Sequence, residues 1–168
     1  MGIYSVDKLM SEARRLAADY RRATGKTLPL SGEIAVHDAI RLLGLEPAPA
    51  EAVGYEAVRR AADGEQRVQI KGRVIFDERR SGHRLGQIKT DKPWDSLVLV
   101  LMDEDYEPCE IFEALRTDIM HVVEATRDSR RASRGVMSVA RFKIIGQRVW
   151  TREGGEEDDG YWDNGARP

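Results

Sequence analysis

Between Ser5 and Ala23 apolar residues recur at Val6, Leu9, Met10, Ala13, Leu16, Ala17 and Tyr20 with charges opposite them, which predicts an amphipathic helix stopped at Gly25. A second helix is expected over Gly32–Leu43, with Ser31 as N-cap, Gly44 as stop and Glu33 in its first turn. After the loop "EPAPAEAVG" the period changes to that of strands. "YEAVRR" and "QRVQIKGRVIF" flank "ADGE", and Asp-Gly is the favoured pair for a two-residue hairpin, so Asp63 and Gly64 are assigned to the turn.

The run "SLVLVLM" at Ser96–Met102 is almost continuously apolar, as in a strand buried on both faces, and "CEIFEAL" follows it across an acidic, proline-containing loop. Asp118–Ala125 reads as a helix and "SVARFKIIGQRVW" as a short helix or helix-strand element. The fold class expected is α/β (α+β): a mixed sheet of about four strands flanked by helices, behind an N-terminal amphipathic helix. At 168 residues the chain suits one domain, taken as 1–150, followed by an acidic, glycine-rich tail over 151–168 that reads as disordered.

A formal net charge of -2 excludes a uniformly basic protein and leaves room for local patches. Cys109 is the single cysteine, so no internal disulfide forms, and the start "MGIYSVDKLM" lacks a secretion pattern; a cytoplasmic location is expected. The longest apolar run falls far short of the ~20 residues that span a bilayer, so no membrane segment is expected.

The triplet Gln-Ile-Lys occurs twice, in "RVQIKGRV" and in "RLGQIKTDKP". With Asp63-Gly64 as the turn, Ala62 pairs with Glu65, Val58 lies opposite Gln69 and Glu56 lies opposite Lys71. Glu56, Gln69 and Lys71 then share one sheet face, while Val68, Ile70 and Val74 take the other. A carboxylate, an amide oxygen and a lysine together suit Mg²⁺-assisted (or Mn²⁺-assisted) phosphodiester hydrolysis: hard oxygen ligands hold the metal and the lysine steadies developing charge. A plain cross-strand Glu56–Lys71 ion pair, worth ~0.2–1 kcal/mol, uses the same residues. Gly72 inside the strand marks a bulge or a close backbone approach by a ligand.

"GYEAV" followed by a turn and "VQIKGR" resembles the PD-(D/E)XK nuclease superfamily, and the Gln-x-Lys variant resembles its Mrr-like branch. The resemblance covers roughly Gly32–Leu115 and implies a restriction-endonuclease-like fold. It also implies that Glu33 is the helix acid, Glu56 the metal-binding acid, Gln69 a substituted metal ligand and Lys71 the catalytic lysine. Glu56 stands where the family pattern has aspartate, and Gln69 where it commonly has an acid.

The second Gln-Ile-Lys sits in the polar stretch "DERRSGHRLGQIKTDKPW", long enough for a functional loop. Arg79, Arg80, His83, Arg84 and Lys89 in that stretch, Arg73 at the end of the strand, and Arg131 and Arg134 in "RDSRRASRG" are candidate phosphate contacts, with ordinary solvated charge as the alternative. The function expected is that of a metal-dependent DNA nuclease. Cutting both strands of a duplex with one site per chain calls for a homodimer or for repeated nicking. The alternatives are a catalytically inactive module of the same fold that binds DNA or assembles with protein in defence or repair, and a purely structural partner-binding protein.

Overall fold

The computed structural model describes residues 5–77, 79, 82–126 and 137–157. Helix α1 (Val6–Thr24) begins where the Ser5 hydroxyl accepts the Lys8 N–H at 3.2 Å, and ends at Gly25, whose φ of 72° is the left-handed cap conformation glycine favours. Its rotation differs from the sequence expectation. Arg14, Ala17 and Ala18 are buried, whereas Val6, Leu9 and Leu16 are 62%, 47% and 59% exposed. The cause is electrostatic: the Arg14 guanidinium donates to both carboxylate oxygens of the fully buried Asp38 at 3.0 and 2.9 Å, and to the Tyr106 carbonyl. A guanidinium paired this closely to a buried carboxylate must turn inward, because an unpaired buried charge is strongly destabilising.

Helix α2 (Ser31–Leu42) buries Ile34, Ala35, Asp38 and Ala39. Ser31 lies in its first turn rather than at the cap, which is Leu30 with no side-chain bond. The strands are β1 (Glu46–Pro47), β2 (Ala57–Ala61), β3 (Gly64–Val74), β4 (Ser96–Met102) and β5 (Pro108–Leu115). Then come α3 (Arg116–Ala125), α4 (Val139–Ile145), β6 (Gln147–Thr151) and β7 (Gly155–Glu156).

These strands form one seven-stranded mixed sheet in the sequential order β1 to β7, parallel only between β3 and β4. The architecture is α+β, and it overturns the restriction-endonuclease-like sheet of about four strands inferred from sequence. The extra strands left little trace: β1 and β7 have two residues each, too few for alternation to register, and β6 starts two residues after α4 ends. β7 also begins inside the stretch assigned to the tail, of which residues 158–168 lie outside the described residues.

The hairpin turn is also shifted. Ala61 pairs with Gly64, so Ala62 and Asp63 are the turn residues and Val58 faces Arg67. A type I′ turn on Asp63-Gly64 would need positive φ at both positions; Asp63 keeps a negative φ, and only Gly64 is positive, at 134°. The slip is two residues, which preserves which side chains share a face.

On one face of the sheet Ala57, Val68, Ile70, Val98, Val100 and Met102 pack against α1 and α2. Leu97, Leu99, Leu101, Phe112 and Ala114 on the other face pack against α3, α4 and the crossover at residues 75–95 that carries the chain from β3 back to the start of β4. Leu85, Ile88 and Trp94 of that crossover are buried, and Arg116 donates to the carbonyls of Thr90, Lys92 and Trp94. The crossover is therefore a packed third layer. Among the described residues no helix is long and apolar enough to cross a membrane.

Gly72 shows how closely α2 lies on β3: an added Cβ would stand 2.5 Å from the Ala35 Cβ and 2.8 Å from the Ser31 carbonyl oxygen. A helix fills the space that the sequence reading gave to a ligand. Replacing Gly72 by alanine is expected to destabilise the chain by ~1–3 kcal/mol through overpacking, with Ala35→Gly in the same chain restoring part of the loss. Urea unfolding of the three variants checks this; undiminished stability in Gly72→Ala contradicts the contact.

Candidate functional site

Strand alternation fixes what β3 presents. Residues 68, 70 and 72 face α2, so Gln69, Lys71 and Arg73 point to the opposite side, in register with Leu97, Leu99 and Leu101 of β4. The β2 ladder stops at Ala57, and the chain before it bends through Gly54, whose φ is 92°. Just beyond the ladder the Glu56 carboxylate takes the Ile70 N–H at 2.8 Å, a bond a main-chain carbonyl would otherwise supply. This ties the Glu56 carboxylate to the backbone next to Gln69.

Gln69 is fully buried, and its Nε2 donates to the Gly54 carbonyl at 2.9 Å. That bond fixes the amide orientation, because a flipped amide would set oxygen against oxygen. The Oε1 therefore points away from Gly54, and it is the one buried side-chain oxygen or nitrogen without a partner among the described residues. Leaving such an acceptor unmet costs about 1–3 kcal/mol.

Lys71 is half-buried and makes no ion pair or hydrogen bond among the described residues. The plain cross-strand Glu56–Lys71 salt bridge is thus absent. Burial holds the Lys71 ammonium below its ordinary value of 10.5; the positive charges of Lys89 and Arg73 push the same way, and Glu56 opposes them. Lys89, from the second Gln-Ile-Lys, is thereby close enough to act on Lys71 of the first. Its neighbour Ile88 is buried beneath the crossover and pins the loop there. Arg73 is half-buried, donates to the Arg84 and Gly72 carbonyls, and has no carboxylate partner among the described residues. By contrast, Arg14, Arg59, Arg60, Arg67, Arg148 and Arg152 are each matched to an acid.

Glu33 is exposed on α2, which covers the opposite face of the sheet, so it does not join Glu56, Gln69 and Lys71. Arg79 and Arg84 are exposed, and His83 lies with its Nε2 3.3 Å from the Asp77 carbonyl. Arg80, Arg131 and Arg134 lie outside the described residues. Arg67 and Asp95, which pair beside this row, were missed. Extending the alternation of β3 upstream would have reached Arg67, whereas Asp95 is brought there by the parallel β3–β4 register, which leaves no local mark.

No family model matches the sequence, and no curated protein matches it. Neither comparison identifies the chain as a member of the PD-(D/E)XK superfamily. Among the described residues no three His, Cys, Asp or Glu side chains gather as a metal site. The oxygen donors here are one carboxylate, Glu56, and one amide, Gln69.

The buried ammonium has a thermodynamic consequence. Lys71 holds its proton less tightly folded than unfolded, so it opposes folding fully below its folded pKa, and the penalty fades as pH rises toward 10.5. Lys71→Met is expected to be more stable than the parent at neutral pH, with the gap narrowing toward pH 10.5. Urea titrations at both pH values measure this; a gap that widens with pH contradicts it.

Proposed function

We propose that the chain hydrolyses phosphodiester bonds in DNA with the aid of a divalent cation, Mg²⁺ or Mn²⁺, at the β3 face. The observation that carries this reading is the pairing of an unmet, oriented amide oxygen on Gln69 with an unneutralised Lys71 two residues away, flanked by Arg73 and Lys89. An oxygen acceptor without a donor suits a cation, and lysine and arginine without acids suit phosphate.

Glu56 and Gln69 would be the protein ligands of a hard cation that draws its remaining ligands from water and phosphate, a habit of Mg²⁺, and the fully buried Gln69 oxygen has to open to receive it. When bound, the metal would supply a water of lowered pKa and neutralise charge on the phosphoryl oxygens. Lys71 donates to a non-bridging oxygen of the scissile phosphate, an interaction strengthened because the ammonium is half out of water. Arg73 and Lys89 hold the flanking phosphates and set the strand along β3. Glu33 is left out of this scheme.

A second reading, non-catalytic DNA binding by the same cations, is favoured by the single carboxylate and the complete burial of Gln69. One assay separates them: plasmid and linear DNA with Mg²⁺ or Mn²⁺, an EDTA control, and the variants Lys71→Ala and Glu56→Ala. Hydrolysis is expected, abolished by EDTA and reduced ~10²-fold or more in both variants. Binding that weakens with salt and loses slope in Lys71→Ala, with no cleavage, selects the second reading. Neither cleavage nor binding overturns both.

A further inference from the structure

A cavity of about 470 Å³ opens at the head of β3, walled by Tyr55, Glu65, Arg67 and Asp95 and rimmed by Asp63. It lies on the same side of β3 as Lys71, because residues 65, 67, 69 and 71 alternate to that side, with the Gly54 bend covering the buried Gln69 between them. From Arg67 to Lys71 the strand advances ~13 Å, at ~3.3 Å per residue, a span a short single strand covers.

We infer that this cavity receives an unpaired nucleobase bearing an amino group and a carbonyl on one edge, guanine or cytosine, from the strand whose phosphates lie on Lys71, Arg73 and Lys89. The inference rests on the reading of the β3 face as a phosphodiester site.

Its chemistry follows from the lining. Tyr55 is half-buried against the cluster under the crossover, which holds its ring as a stacking wall. The Asp95 Oδ2 accepts the Arg67 backbone N–H at 2.7 Å, which anchors the carboxylate, while the guanidinium lies farther off, with Nε 3.3 Å from Oδ2 and a terminal nitrogen 3.4 Å from Oδ1, and both side chains 41% exposed. This leaves donors on the guanidinium and the Asp95 Oδ1 for a ligand. Glu65 is exposed and forms no ion pair among the described residues, adding an acceptor at the mouth.

Carboxylates accept from exocyclic amino groups, and a guanidinium donates to a ring carbonyl. Guanine and cytosine offer both; adenine lacks the carbonyl and thymine the amino group. The carboxylates at this end repel phosphate, so base and backbone are sorted to opposite ends of β3. A base enters such a recess only when it is out of a duplex stack, so the substrate strand is single or locally opened.

The test is binding of short oligo-dC and oligo-dT of equal length, followed by fluorescence anisotropy in EDTA. Oligo-dC is expected to bind roughly tenfold tighter, and Glu65→Gln and Tyr55→Leu are each expected to cut that ratio to about threefold or less. The ratio is the readout, since removing an acid tightens both oligonucleotides together. Equal affinities in the parent, with binding lost in Lys71→Ala/Lys89→Ala, remove the base site and leave the phosphate reading standing. No binding of either oligonucleotide removes both.

Discussion

Helix α2 can lie where it does on β3 only because residue 72 has no side chain. With the Ala35 Cβ 2.5 Å from where a Gly72 Cβ would be, helix and strand backbones are in near contact, and β3 has no freedom to turn over. Val68 and Ile70 are consequently committed to the core beneath α1 and α2. Gln69, Lys71 and Arg73 are committed to the far side, where no helix of the N-terminal pair reaches. Polar side chains on a central strand would ordinarily cost stability; here they are gathered under a crossover built largely of polar residues.

That crossover follows from topology. Because β3 and β4 are parallel, the chain must return from one end of the sheet to the other, and it does so over the polar side of β3 rather than over α2. Ile88 and Trp94 anchor it, Arg116 ties three of its carbonyls, and Lys89 is thereby delivered to the neighbourhood of Lys71. The two Gln-Ile-Lys triplets play unlike parts in one place. The first supplies a buried amide and a half-buried ammonium, and the second an apolar anchor and an exposed cation.

Much of this was legible in the chain, and what was not has physical reasons. The continuous apolar run marked β4 to the residue, and period-two alternation assigned Gln69 and Lys71 to one face even though the hairpin register was two residues out, since an even slip conserves parity. Helix α1 was found but its facing was not, because the hydrophobic pattern carries no record of the Arg14–Asp38 bond that rotates it. Gly72 was rightly singled out, but helix and ligand make the same demand on a glycine. Glu33 sits in the first turn of a helix, where the macrodipole favours an acid whatever its neighbours are, so its presence held no information about the sheet face across from it. The edge strands were invisible because two residues cannot show a period.

The β3 face can hold phosphate only if Lys71 is a partly desolvated ammonium near Lys89 and Arg73 on the side of β3 away from α2. Selective labelling of lysine and NMR titration of the Lys71 side chain, in the parent and in Lys89→Gln, measure that directly. The expected result is a Lys71 pKa below 10.5 that rises when the Lys89 charge is removed. A value at or above 10.5, unmoved by Lys89→Gln, would contradict it.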